Sequence, residues 1–201
     1  MQIGIIGTGS VAKTLAGALV GKHDVFLASR EPAGKAGLPA PVKGYGALAG
    51  ADLVISAVPG ALALGALREI GTDGWGNKIL VDVGNAVTDK FALAYPEGSL
   101  AATLQQAFPG LRVVKAFNTF NTSVMGDPRK LSAPSDAFVS GNDAAAKSAV
   151  IDLHVDIGWH RDRVHDLGGI EMARAQEHYF YLFVALVRSI GNPKFNIAVV
   201  R

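Results

Sequence analysis

Short apolar runs alternate with longer amphipathic stretches along most of this chain. The first run begins at Gln2, is short enough for one buried strand and ends at Gly7, and the pattern from Ser10 to Val20 is typical of a helix. The run from Asp52 to Val58 is almost entirely apolar, as expected of a strand in a parallel sheet whose two faces are both covered by helices. The pattern therefore predicts an α/β protein.

The same reasoning places the remaining elements. Further strands are predicted at Val25–Ala28, Lys78–Val83, Arg112–Phe117, Ala137–Ser140 and, briefly, Arg161–Val164. Further helices are predicted at Gly60–Ile70, Ser99–Phe108, from an N-cap at Asn142 to Ile157, and at Ile170–Ile190. The Pro- and Gly-rich passage Glu31–Gly46 is predicted to be a loop, with one helical turn at residues 47–50.

This alternation predicts a doubly wound, Rossmann-type, mostly parallel sheet with helices on both faces and a long C-terminal helix. The expected strand order is 3-2-1-4-5-6. We expect residues 1–165 to form a nucleotide-binding domain, and residues 166–201 to pack on it as a helix and tail rather than as a separate domain.

Composition narrows the functional classes. The chain has 201 residues, is 49% hydrophobic and carries a formal charge of +2 without any Lys/Arg run, so nothing points to nucleic acid or to an acidic membrane surface. The absence of cysteine excludes disulfides, thiol nucleophiles and thiolate metal sites. With no basic segment before the first strand and no apolar run longer than Tyr179–Val187, we expect a soluble, cytoplasmic protein.

The turn after the first strand has the spacing of a dinucleotide-binding fingerprint, with Gly7, Gly9 and Ala12 in the pattern G-x-G-x-x-A. The first glycine permits a tight turn, the second lets a pyrophosphate approach bare backbone, and the alanine allows helix and strand to pack closely. The N–H groups that begin the helix, around Ser10 and Val11, then face the phosphates.

The residues that follow the second strand favour NADP(H) over NAD(H). An NAD site places a carboxylate about 20 residues past the fingerprint to hold the ribose 2′-hydroxyl. Ser29 and Arg30 stand there instead, and a hydroxyl and a guanidinium suit a 2′-phosphate. Thr8 in the turn and Lys35 in the loop are predicted to add further contacts.

Other strand ends offer little acid–base chemistry. The turn at Val58–Pro59 is apolar, while Asn85 and Asn118 are predicted to converge near the nicotinamide as neutral donors and acceptors. Lys115 is either an electrophile or, as is more usual at a strand end, solvated. The five histidines show no metal-ligand spacing, and only His165 is a candidate to lie near a ligand. We therefore predict no catalytic side chain and no metal site.

Four motifs together resemble a known family. They are Gly7–Ala12, Ser29–Arg30, the run Lys115-Ala116-Phe117-Asn118-Thr119, and the pattern from Asp166 to Arg174 with Gly168, Ile170 and Ala173. In this order and spacing they resemble the NADPH-dependent coenzyme F420 reductases, and also the oxidoreductase domain of the six-transmembrane epithelial metalloreductases.

The resemblance implies where the ligands lie. It implies that Thr8–Val11, Ser29 and Arg30 hold NADP(H), and that Val58–Pro59, Asn85 and the segment Ala116 to Asn118 line the nicotinamide and the acceptor. It also implies hydride transfer to a flavin-like or deazaflavin (F420) acceptor, which needs alignment of the two rings more than a protein proton donor.

Two other functions stay open. A reductase of a small carbonyl or imine would need a proton donor near the nicotinamide, for which Lys115, Thr119 and Tyr179 are the candidates. A non-enzymatic NADP(H) sensor that binds a partner protein would need no proton donor.

The apolar composition of the final helix predicts that the chain forms a homodimer. Its second half, Tyr179–Val187, is apolar on every face, whereas the surface helix of a monomer carries a polar stripe. A second copy of the chain is the simplest cover for such a helix, and the resemblance implies that the acceptor lies beside it.

Overall fold

The computed structural model describes residues 1–201 and contains one eight-stranded sheet in the order β3-β2-β1-β4-β5-β6-β7-β8. Adjacent strands are parallel except for the antiparallel pair β6 and β7. The strands are β1 Gln2–Ile6, β2 Asp24–Ala28, β3 Val42–Lys43, β4 Leu53–Ser56, β5 Ile79–Asp82, β6 Arg112–Lys115, β7 Ala137–Gly141 and β8 Val164–Asp166.

Helices cover both faces of this sheet. They are α1 Ser10–Leu19, α2 Gly60–Ile70, α3 Leu100–Ala107, α4 Thr122–Met125, α5 Ala144–Ile157 and α6 Ala173–Ile190. One core of 28 buried residues includes apolar side chains of α1, α4 and α5, and a second core of 18 includes those of α2 and α3. The predicted doubly wound, Rossmann-type fold with a long C-terminal helix is therefore confirmed. No helix is both long enough and apolar enough to cross a membrane.

The predicted position of the strand at residues 52–58 is wrong. We expected it outside β2, but β4 pairs with β1 on the opposite side. The outer position belongs to the two-residue strand β3, which joins β2 through the bonds from Leu27 N to Pro41 O and from Ser29 N to Lys43 O. So short a strand inside a Pro- and Gly-rich loop leaves no periodic signal.

Several local boundaries also differ from expectation. Asp143, not Asn142, caps α5 by accepting from Ala146 N, while Asn142 accepts from Ile170 N instead. The expected strand at residues 161–164 begins only at Val164, because the preceding three residues form a 3₁₀ turn. Helix α4 was missed, since four residues are too few to show a period.

The long helix α6 is buried at its start and exposed further on. Gln176 and Glu177 are almost fully buried, and Glu177 accepts backbone N–H groups from the start of α3. Tyr181 and Leu182, by contrast, are 46% and 53% exposed. This chain alone therefore leaves part of the apolar half of α6 uncovered.

Candidate functional site: a cleft at the carboxyl ends of the parallel strands

The fingerprint turn has the backbone that its sequence requires. Gly7 has a φ of +116°, a region that L-side chains avoid, and its N–H donates to Ala28 O at 2.9 Å. Gly9 precedes α1 in extended conformation, and a Cβ placed there meets no atom within 4 Å. No side chain caps α1, so its first N–H groups stay available to a ligand.

A cleft of about 430 Å³ opens from this turn across the ends of β4, β5 and β6. None of its eighteen lining residues carries a formal charge. The predicted site residues that line it are Gly9, Ser10, Val11, Val58, Pro59, Asn85 and Asn118.

The predicted 2′-phosphate residues lie outside this cleft, around the end of β2. Lys35 Nζ donates to Thr8 Oγ1 at 3.2 Å, which brings the loop after β2 back onto the fingerprint turn. Arg30 pairs with Glu69 of α2 at 2.6 Å, and both side chains are more than half exposed. Ser29 is 8% exposed, and its hydroxyl bonds the backbone of Glu31.

Neither Ala116, a predicted site residue, nor His165, the one candidate histidine, lines the cleft. Ala116, which was expected to line the nicotinamide and the acceptor, is fully buried in the core beneath the turn. His165 lies 2.9 Å from Asp136 through its Nε2 atom, on the far strand β8, and does not line the cleft.

The two predicted asparagines do converge. Asn118 Nδ2 donates to Asn85 Oδ1 and Asn85 Nδ2 donates to Asn118 O, both at 2.9 Å. Asn118 Nδ2 also donates to the carbonyl of Gln176, whose side chain is buried behind it. This network fixes both amides in one orientation, so that they present neutral polar groups to the cleft.

The far wall of the cleft is aromatic, and sequence reasoning missed most of it. Its additional lining residues are Phe117, Phe120, Asn121, Thr122, Met125, Phe180 and Phe183. Phe117 has a φ of +60°, rare for a bulky residue, and its ring stacks on His154 at 3.9 Å with an interplanar angle of 6°. Two features of the sequence could have indicated this wall: the Phe and Asn residues in the run that follows β6, and the apolar second half of α6.

His154 supports this wall from the core. It is completely buried, and burial lowers the pKa of its imidazole to about 4, although a contact of Nδ1 with Val150 O opposes the shift. The ring is therefore neutral at neutral pH and packs as an aromatic side chain between Phe117 and Trp159.

Close packing of backbone forms the middle of the cleft. A Cβ on Gly60, the first residue of α2, would lie 2.6 Å from the carbonyl carbon and oxygen of Asn85. Only glycine permits this approach, which brings the start of α2 against the turn after β5. Both segments line the cleft.

A buried charge cluster lies directly behind that turn. Lys115 Nζ is 2.9 Å from Asp82 Oδ2 and 3.0 Å from Glu177 Oε1, and all three side chains are at most 2% exposed. Lys115 also donates to Gly84 O, and Asp82 Oδ1 accepts from Gly84 N at 3.0 Å. The expectation that Lys115 is solvated is therefore wrong, and neither carboxylate was identified from the sequence.

The cluster keeps its lysine charged. Burial lowers the pKa of Lys115, but the carboxylates of Asp82 and Glu177 outweigh it and raise the pKa above its ordinary value. The ammonium group consequently anchors the carbonyl of Gly84 and holds the turn after β5 in place.

Comparison with known proteins identifies the family. The profile of the family "NADP oxidoreductase coenzyme F420-dependent" matches residues 2–86. A crystal structure of a candidate F420-dependent NADP-reductase from Arthrobacter sp. FB24 is 34% identical, superposes with a TM-score of 0.93 and covers 100% of both chains. The chain belongs to this family of NADP-dependent oxidoreductases.

Two curated relatives extend the comparison. The F420-dependent NADP reductase of Methanocaldococcus jannaschii is 33% identical over 67% of this chain, and metalloreductase STEAP3 of Rattus norvegicus is 31% identical over 88% of it. The chain spans 61% of the first relative and 36% of the second. A reductive aminase from Aspergillus terreus, at 16% identity and a TM-score of 0.69 over 94% of this chain and 62% of its own, shares the fold alone.

The geometry of the cleft fits NADP(H), the cofactor shared by this family of oxidoreductases. The space in front of Gly9 is what a pyrophosphate needs against bare backbone, and the uncharged part of the cleft suits a nicotinamide.

Proposed function

We propose that this chain transfers hydride between NADP(H) and a flavin-like or deazaflavin (F420) acceptor. The observation that carries the proposal is the character of the cleft, which joins the glycine fingerprint turn to an uncharged wall rich in phenylalanine. Such a wall favours a flat aromatic partner over an anionic or metal-bound one.

The chain's own residues supply binding and orientation. NADP(H), when bound, supplies the chemistry, because its nicotinamide donates or accepts the hydride. The turn at Gly9 is proposed to hold the pyrophosphate, Val58 and Pro59 to support one face of the nicotinamide, and the Asn85–Asn118 pair to bond its carboxamide. Phe180 and Phe183 exclude water from the acceptor side.

The preference for NADP(H) is proposed to come from four polar residues around the end of β2. Arg30, Ser29, Thr8 and Lys35 supply two cations and two hydroxyls. Arg30 leaves Glu69 when a phosphate binds, which costs little because an ion pair this exposed contributes only about 0.2–1 kcal/mol.

An acceptor screen tests the proposed function. Purified protein is mixed with NADPH and, in turn, coenzyme F420, FMN, FAD, riboflavin and ferric chelates, and NADPH absorbance is followed. We expect steady oxidation with at least one flavin-like compound. Tight NADPH binding with no oxidation by any acceptor would favour the sensor alternative instead.

No observation favours a carbonyl or imine reductase. Neither Lys115, Thr119 nor Tyr179 lines the cleft. Lys115 is held in the buried cluster, and burial raises the pKa of the Tyr179 phenol, whose hydroxyl has no partner. Turnover of simple ketones or cyclic imines, with none of the flavin-like compounds reduced, would reverse this preference.

We also propose that the chain is a homodimer paired through α6, with residues 166–201 on the acceptor side. Support comes from the exposed apolar side chains Tyr181, Leu182 and Ile190 on α6 and from Phe91, which is 53% exposed beside Phe180. Isologous pairing would cover this surface in both copies at once.

Light scattering at micromolar concentration tests the dimer. We expect twice the mass of one chain for the parent protein and a single-chain mass for Leu182→Glu. Val155→Glu, at an exposed valine of α5, is the matched control and should stay dimeric. A single-chain mass for the parent, unchanged when NADPH is added, rules the dimer out.

A further inference from the structure

A buried cluster of charged groups, Lys115, Asp82 and Glu177, lies behind the cleft. No residue that lines the cleft carries a formal charge. Directly behind the wall, however, Lys115 and Asp82 both form hydrogen bonds with the backbone of Gly84, and Gly84 lines the cleft. The electrostatic potential at this part of the cleft therefore depends on the net charge of Lys115, Asp82 and Glu177.

Hydrogen bonding fixes that net charge. Asp82 accepts from Lys115 Nζ and Gly84 N, while Glu177 accepts from Lys115 Nζ, Leu100 N and Ala101 N. Every recorded partner is a donor, which leaves no acceptor for a carboxyl proton, so both acids are carboxylates. One ammonium and two carboxylates leave one negative charge, which the N-terminus of α3 offsets in part.

We propose that this buried negative charge tunes the redox potential of the bound cofactor, making Asp82 and Glu177 positioning residues that favour NADP⁺ over NADPH. The inference rests on the proposed function, since it requires the nicotinamide to lie against the turn at Gly84 and Asn85.

The effect follows from the charges of the two cofactor forms. The nicotinamide ring is positive in NADP⁺ and neutral in NADPH, so a nearby negative charge stabilises the oxidised form alone. One unit charge at a separation of about 10 Å and an effective dielectric constant of about 20 changes an equilibrium roughly tenfold. For a two-electron couple, a tenfold change is about 30 mV. This charge therefore makes bound NADPH a stronger hydride donor than it would be in the same site without the charge.

Isosteric neutralisation tests this inference by binding, without any turnover. Glu177→Gln and Asp82→Asn each remove the surplus negative charge, and dissociation constants for NADP⁺ and NADPH are measured by calorimetry on both variants and the parent. Glu97→Gln is the matched control, because Glu97 pairs with Arg174 at an exposed position. Melting temperatures identify any variant that does not fold, and the other variant then carries the test.

We expect each buried variant to bind NADP⁺ about tenfold more weakly while NADPH changes by less than about threefold. The control should leave both constants unchanged. Equal weakening of both forms, or a ratio that does not move, overturns the inference and leaves the proposed function intact. A parent protein that binds neither form overturns the proposed function, and this inference with it.

Discussion

The two ends of the candidate site are built in opposite ways. The phosphate end consists of bare backbone at Gly9 and of exposed cations, of which Arg30 is paired at the surface with Glu69. The acceptor end consists of side chains locked from behind, by the amide pair of Asn85 and Asn118 and by the cluster around Lys115.

This difference indicates what each end contributes. An exposed cation can swing to a phosphate at little cost, so in the proposed function the phosphate end selects the cofactor mainly through open space and mobile charge. Buried polar groups cannot move without losing their partners, so the acceptor end holds a fixed geometry and a fixed potential. Substitutions at the two ends should therefore act on different quantities, binding at one and stability or potential at the other.

Removal of the buried lysine should have the largest effect. Lys115→Met leaves two carboxylates unpaired in the core and should lower the free energy of unfolding by about 3–5 kcal/mol. Arg30→Met breaks an ion pair of similar length at the surface and should cost at most about 1 kcal/mol. Urea unfolding of both variants measures the contrast, and comparable losses would contradict the distinction between the two ends.

Acid should weaken the acceptor end through His154. Its pKa is about 4 in the folded protein against an ordinary value of 6.5, so the unfolded chain binds the extra proton first as the pH falls. Burial of the neutral ring contributes its full stabilisation above about pH 6.5. As the pH falls from there to about 4, the free energy of unfolding decreases by about 3 kcal/mol. His154→Leu should remove this part of the pH dependence, and identical slopes of stability against pH would show that the ring does not titrate.

Filling the space before Gly9 tests the phosphate end without disturbing the fold. Gly9→Val places carbon where the pyrophosphate is proposed to lie and should raise the dissociation constant of NADPH at least about 100-fold, or about 2.7 kcal/mol. Its extended backbone tolerates the side chain, so the melting temperature should not fall. Gly65→Val, in open space on α2, is the control and should bind normally. Parent-like binding by Gly9→Val would exclude this turn as the phosphate site.

The smallest of these effects is expected at Arg30. A charge-assisted contact to a 2′-phosphate contributes about 1.5–3 kcal/mol, so Arg30→Ala should weaken NADPH roughly 10- to 150-fold and leave NADH nearly unchanged. Because Arg30 must leave its ion pair with Glu69 to bind the phosphate, we expect a loss closer to about 10-fold than to about 150-fold. Fluorescence titration with both cofactors measures it, and equal losses for the two would remove Arg30 from the 2′-phosphate site.

The parts of this protein that its sequence determined are local. The turn at Gly7 and Gly9 needs only neighbouring residues to bend the backbone and begin a helix. The strands and long helices follow from apolar periodicity, because the sheet must be buried on both faces. Even the candidate phosphate residues Ser29 and Arg30 could be placed by counting from the fingerprint.

Tertiary structure alone decided the rest. Glu177 bonds a helix start 77 residues before it, and Gln176 reaches Asn118 across 58 residues, distances at which no sequence period operates. A lysine at a strand end is usually solvated, but pairing of β5 with β6 places Asp82 beside Lys115, and the docking of α6 adds Glu177. The same packing assembles the phenylalanine wall, because which rings meet depends on how whole elements dock rather than on their neighbours in the chain.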